Sequence, residues 1–116
     1  MDRVVSILVG MGVVGLVLCF LIASVEGAGG MAIVLALVAL GPGGMIGGVF
    51  TAVLIGLVTK VLAEFGLEAL ATAVVEGLLD NGWTVAEIRD AVKALPFLVV
   101  SKTLKRRIYE FLDRMK

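Results

Sequence analysis

Few side chains in this sequence are equipped for chemistry. There is one thiol, Cys19, in the middle of an apolar run, and there is no histidine. One cysteine cannot build a disulfide framework or a cysteine metal site within the chain. Without histidine, zinc chemistry, a Cys-His nucleophile and imidazole acid–base work are excluded as well. The glycine-rich run Gly41-Pro42-Gly43-Gly44-Met45-Ile46-Gly47-Gly48 lacks the Lys-Ser/Thr that a phosphate loop places on its nucleotide. It reads as a hinge, so no enzyme activity, cofactor or metal is expected.

The charged groups are the remaining candidates, and their distribution is uneven. Residues 1–63 hold only Asp2, Arg3, Glu26 and Lys60, which cancel. Residues 64–90 carry a net charge of −5 and residues 91–116 a net charge of +5, so the formal net charge of zero hides an acidic segment followed by a basic one. Two such segments can pair within a protomer or between neighbours. The basic residues Lys102, Lys105, Arg106, Arg107 and Arg114 share one side of a helix that runs from the break at Pro96 to about Met115, with Phe97, Val100, Leu104, Ile108, Phe111, Leu112 and Met115 opposite. Such a face suits anionic lipid headgroups, each basic residue contributing roughly 1 kcal/mol near the surface. It also suits the acidic helix at 67–80. Ala86–Val92 followed by Ser101–Tyr109 resembles a helix-turn-helix, but eight residues, Lys93–Val100, separate the two stretches. That motif has a turn of about three or four, so nucleic acid is not the expected partner.

The elements that carry these groups follow from hydropathy and punctuation. With 60% hydrophobic and 17% charged residues, the balance is far from that of an ordinary water-soluble domain. Val4–Val25 is 22 residues without a charge, roughly 33 Å as a helix against a hydrocarbon core of about 30 Å. Gly27–Thr59 adds 33 uncharged residues, divided by Gly41–Gly44. Either two short crossings meet there or one long helix kinks, and the second is favoured because Ala28–Leu40 would span only about 20 Å. The expected fold is therefore an all-α integral membrane protein. Residues 1–63 form its transmembrane region and residues 64–116 an amphipathic helical region outside the lipid, on the cytoplasmic side by the bias of basic residues.

Small residues recur every four positions in both apolar stretches: Gly15, Cys19, Ala23 and Gly27 in the first, Gly44, Gly48, Ala52 and Gly56 in the second. In lipid, close backbone approach through small residues supplies packing specificity. Gly15, Ala23, Gly44, Gly48, Ala52 and Gly56 are thus candidate helix-packing positions, with homo-oligomers as the expected product. No ionisable residue lies inside either stretch, which argues against a carrier or proton path.

Farther along, Leu67, Leu70, Ala71, Val74, Val75, Leu78 and Leu79 share one helical face and Glu68, Thr72, Glu76 and Asp80 the other. Asn81-Gly82 supplies a stop. Thr84 and Glu87 form a capping box, with Trp83 and Ile88 placed as its staple. The expected function is a non-enzymatic structural or assembly subunit of a homo-oligomer, a pilin-like filament or a virion membrane layer. The alternatives are a pore former of the holin or bacteriocin kind and a membrane-tethered nucleic-acid-binding regulator.

Overall fold

The apolar stretch at the N-terminus is two helices. In the computed structural model, which describes residues 1–24, 49–95 and 102–115 with side chains from Val53 onward in the middle segment, α1 spans Asp2–Gly10 and α2 spans Val13–Ser24. Gly10 and Gly12 bracket Met11, and each glycine costs a helix roughly 1 kcal/mol relative to alanine. Gly12 takes φ +69°, a left-handed conformation that side chains with a Cβ avoid. The Met11 and Gly12 amides donate to the carbonyls of Leu8 and Val9 at 3.1 and 3.0 Å, closing the end of α1. The chain turns sharply enough for α1 to pack on α2. At that contact Gly15 lies so close to Leu8 that a Cβ on it would fall on the Leu8 carbonyl oxygen.

α2 is the centre of the fold. Val13 and every residue from Gly15 to Ile22 are buried, and α2 touches all five of the other helices described here. A helix that is apolar all round must be covered on every side, by lipid or by protein. Here protein covers it.

α3 spans Val49–Phe65 and buries Leu54, Ile55, Val58 and Val61, while Val53, Gly56, Lys60 and Glu64 face outward. Gly66, at φ +90°, ends α3 and precedes α4, Leu67–Asp80. α4 turns Leu70, Ala71, Val74, Val75 and Leu78 into the core and leaves Glu68, Glu76 and Asp80 exposed, as the apolar period predicts. Leu79 stays 36% exposed. At the expected stop, Gly82 takes φ +97° and the Trp83 amide reaches back to the Leu78 carbonyl at 3.0 Å. The capping box then opens α5, Val85–Ala94. Thr84 Oγ1 accepts from the Glu87 amide and Glu87 Oε1 from the Thr84 amide, both at 3.1 Å. α6, Lys102–Met115, buries Leu104, Ile108, Phe111 and Leu112, and Phe111 meets Phe20 of α2 edge to face with centroids 5.7 Å apart. Residues on both sides of position 63 thus contribute to one hydrophobic core.

The all-α expectation holds, but the membrane expectation is corrected. Among the described residues, no helix is long and apolar enough to cross a membrane. α1 and α2 hold 9 and 12 residues, roughly 14 and 18 Å against the ~30 Å needed. α3 holds 17 and carries Lys60 and Glu64 in its second half. An integral, multi-span location is therefore not supported, and the cytoplasmic assignment of the C-terminal region, which was reckoned from a preceding span, loses its basis. The Gly41–Gly44 break, Pro96, Phe97 and Val100 lie outside the described residues.

Candidate functional site

The residues singled out for helix packing are dispersed in the structure. Gly15 is consumed inside the chain at the α1–α2 contact. Ala23 is exposed near the end of α2. Gly56 faces outward from α3, with nothing within 4 Å of a Cβ built on it. Ala52 belongs to α3, but its side chain, like Gly44 and Gly48, lies outside the described residues. A close approach that the four-residue spacing does not reveal occurs at Gly77 of α4, where a Cβ would come within 2.5 Å of Val9 Cγ2 on α1.

Cys19 is fully buried, and its thiol donates to the Gly15 carbonyl one turn earlier at 3.3 Å. Burial raises its pKa from the ordinary 9.0 to about 12, opposed by a hydrogen bond from the Cys19 backbone amide. Thiolate is the nucleophile and metal ligand, so this cysteine serves as a small core residue. Among the described residues no cluster of carboxylates and thiols has the makings of a metal site.

The basic residues of α6 do converge, and they do so with help from α5. Lys105 Nζ donates to the carbonyls of Lys93 and Leu95 at 2.9 and 2.8 Å, tying the first turns of α6 to the C-terminal end of α5. Carbonyls at a helix C-terminus lack intrahelical partners and carry partial negative charge, which is why a lysine settles there. With α5 and α6 joined in this way, Lys93, Lys102, Lys105, Arg106 and Tyr109 line a cavity of about 490 Å³. The Arg89 guanidinium sits 4.6 Å from the centroid of the Tyr109 ring and pairs with Asp113 at 2.8 Å. Both partners of that pair are about half exposed, so it contributes at most about 1 kcal/mol. Among the described residues, four cationic side chains, the Tyr109 ring and no carboxylate make the lining. Glu110, the nearest acid on the α6 side in sequence, sits one turn beyond Arg106.

Arg107 and Arg114 point elsewhere. Arg107 reaches Ser24 Oγ at 3.4 Å at the end of α2. Arg114 lies 6.0 Å from the Phe111 centroid and, with Glu68, borders a 300 Å³ cavity over the Phe20–Phe111 pair. The predicted basic face is therefore divided, with Lys102, Lys105 and Arg106 at the groove. Lys93 and Tyr109 join them, with Arg89 against the Tyr109 ring, although sequence spacing on α6 alone could not show it. The acidic side chains of α4, Glu68, Glu76 and Asp80, are exposed, and among the described residues no ion pair links them to the cations of α6. Comparison with protein-family models, with characterised proteins and with solved structures gives no match for this chain.

Proposed function

We propose that this chain is a non-enzymatic assembly subunit that associates with further copies of itself, head to tail. In this contact the acidic face of α4 on one copy meets the cationic end formed by α5 and α6 on the next. The observation that carries this reading is the separation of charge on the folded surface. Glu68, Glu76 and Asp80 project from α4 while Lys93, Lys102, Lys105 and Arg106 gather at the other pair of helices, without ion pairs between the two groups among the described residues.

A chain with zero net charge has no global repulsion to keep copies apart. Complementary patches on different faces steer encounter and fix register. Because the two patches differ, the contact is heterologous, and repeated head-to-tail contacts close into a ring or extend as a filament. A non-enzymatic role fits a chain without histidine whose single thiol is buried and held protonated. The pore-forming and membrane-tethered alternatives each require a span, and none is found among the described residues.

Sedimentation velocity across protein concentrations tests the proposal. Raising salt from about 0.05 to about 0.5 M shortens the Debye length from roughly 14 to roughly 4 Å. The expected result is a mass that rises with concentration at low salt and returns to the monomer at high salt. A monomer under all conditions, or association that strengthens with salt, overturns it.

A further inference from the structure

The geometry points to a second property of the cationic groove: it is a binding site for the phosphate group of a small anionic ligand. Two features of the groove converge on this. Among the described residues the lining contains four cations and no carboxylate, so none of them neutralises the charge from within. The groove is concave and built from two helices, with Lys93 contributed by α5 and Lys102, Lys105, Arg106 and Tyr109 by α6.

The individual groups suit phosphate oxygens in different ways. Arg106 offers a planar fork for two oxygens at once, while Lys102 and Lys93 act as point charges on flexible stems. Lys105 spends two donors on the carbonyls of Lys93 and Leu95, which holds its ammonium in place with one N–H to spare. The Tyr109 hydroxyl can donate as well, and the Arg89 guanidinium against its ring, paired with Asp113, restrains it. A solvated basic helix face would need none of this convergence. It would present its lysines singly to water, without a lysine anchored across to a second helix.

Inorganic pyrophosphate is the probe, and Tyr109, the chain's single tyrosine, is the reporter. The titration is followed by NMR on the full chain in the Glu76→Gln/Asp80→Asn background, which disables the proposed head-to-tail contact. Failure of the phosphate site is then read separately from failure of self-association. The expected result is a saturable shift of the Tyr109 ring and of amides 102–109 at one equivalent. Affinity should fall about fivefold for each of Lys102→Gln and Arg106→Gln, the loss typical of one exposed charge contact, and should stay unchanged for Lys60→Gln on the outer face of α3. Both groove side chains are exposed, so circular dichroism should report an unchanged fold.

A second arm asks where the phosphate comes from, using vesicles of phosphatidylcholine with phosphatidate beside a soluble phosphomonoester. Binding of both assigns the site to a headgroup, and binding of the ester alone to a soluble metabolite; each supports a phosphate site. A titration that never saturates, shifts indifferent to Lys102→Gln and Arg106→Gln, or binding to duplex DNA without binding to pyrophosphate would overturn it. The last outcome would mean a polyelectrolyte surface instead of a site.

Discussion

Adding one methyl group at Gly15 and one at Gly56 should move stability in opposite directions. Both glycines lie inside helices, so replacing either with alanine gains roughly 1 kcal/mol of helix propensity. At Gly56 nothing lies within 4 Å of the new Cβ, and that gain stands alone. At Gly15 the Cβ would fall on the Leu8 carbonyl oxygen, with the Leu8 carbonyl carbon 2.7 Å and its Cα 3.0 Å away. Backbone cannot rotate aside as a long side chain can, so α1 must separate from α2, loosening the buried Leu8 and Leu16 packed around the contact. Overpacking of this kind costs up to about 3 kcal/mol, leaving Gly15→Ala net destabilised by roughly 2 kcal/mol. For a domain of this size that lowers the melting temperature by roughly 6–10 °C, against a rise of roughly 3–5 °C for Gly56→Ala. Thermal melts followed by helical circular dichroism, with urea unfolding followed by Trp83 fluorescence, measure both. If Gly15→Ala stabilises as Gly56→Ala does, α1 does not fold against α2 and the N-terminal stretch is one continuous helix.

Gly77→Ala should destabilise by about 1–2 kcal/mol because its methyl meets Val9 Cγ2 at 2.5 Å. Adding Val9→Ala should restore part of that loss in a double-mutant cycle read by urea unfolding, whereas strict additivity would deny the α1–α4 contact. Thr84→Ala removes the acceptor for the Glu87 amide and should cost about 1 kcal/mol, with faster amide exchange at residues 85–88. Cys19 should resist thiol reagents until the chain unfolds. Because folding raises its pKa from 9.0 to about 12, its contribution is fully present below about pH 9. Stability should then fall by roughly 1.4 kcal/mol per pH unit from pH 9 toward 12, and Cys19→Ala should abolish that slope.

The parts of the fold that depend on neighbours in sequence were legible in it. The capping box needs only Thr84 and Glu87 three residues apart, and the α4 face needs only the period of Leu70, Ala71, Val74, Val75 and Leu78. Whether α2 is surrounded by lipid or by five helices was not legible, because Val13–Ile22 presents the same apolar surface to either. The discriminating signal was small. Gly10-Met11-Gly12 ends α1 after nine residues, yet glycines are common enough in membrane helices for this pair to pass as composition.

The basic residues of α6 were visible from spacing, but the groove was not. Lys93 and the Lys105 tie to the end of α5 exist only once α5 and α6 pack, across a sequence separation that no local pattern spans. The four-residue spacing singles out Gly15, but it gives no sign of the close approach to Leu8, which needs a turn inside the same apolar stretch. Gly77 belongs to no four-residue series and became visible only in its contact with Val9.

Charge reversal tests head-to-tail assembly most directly. Two variants are made, one with Glu76→Lys and Asp80→Lys on α4 and the other with Lys102→Glu and Arg106→Glu on α6; all four side chains are exposed, so each should fold. Sedimentation velocity at low salt should find each variant alone monomeric, since like charges now face each other. Their equimolar mixture should assemble again, in alternating order, because the reversed α4 of the first variant meets the reversed groove of the second and the unaltered groove of the first meets the unaltered α4 of the second. Association of either variant alone to the same extent as the parent, or a mixture that stays monomeric while the parent associates, would contradict the account.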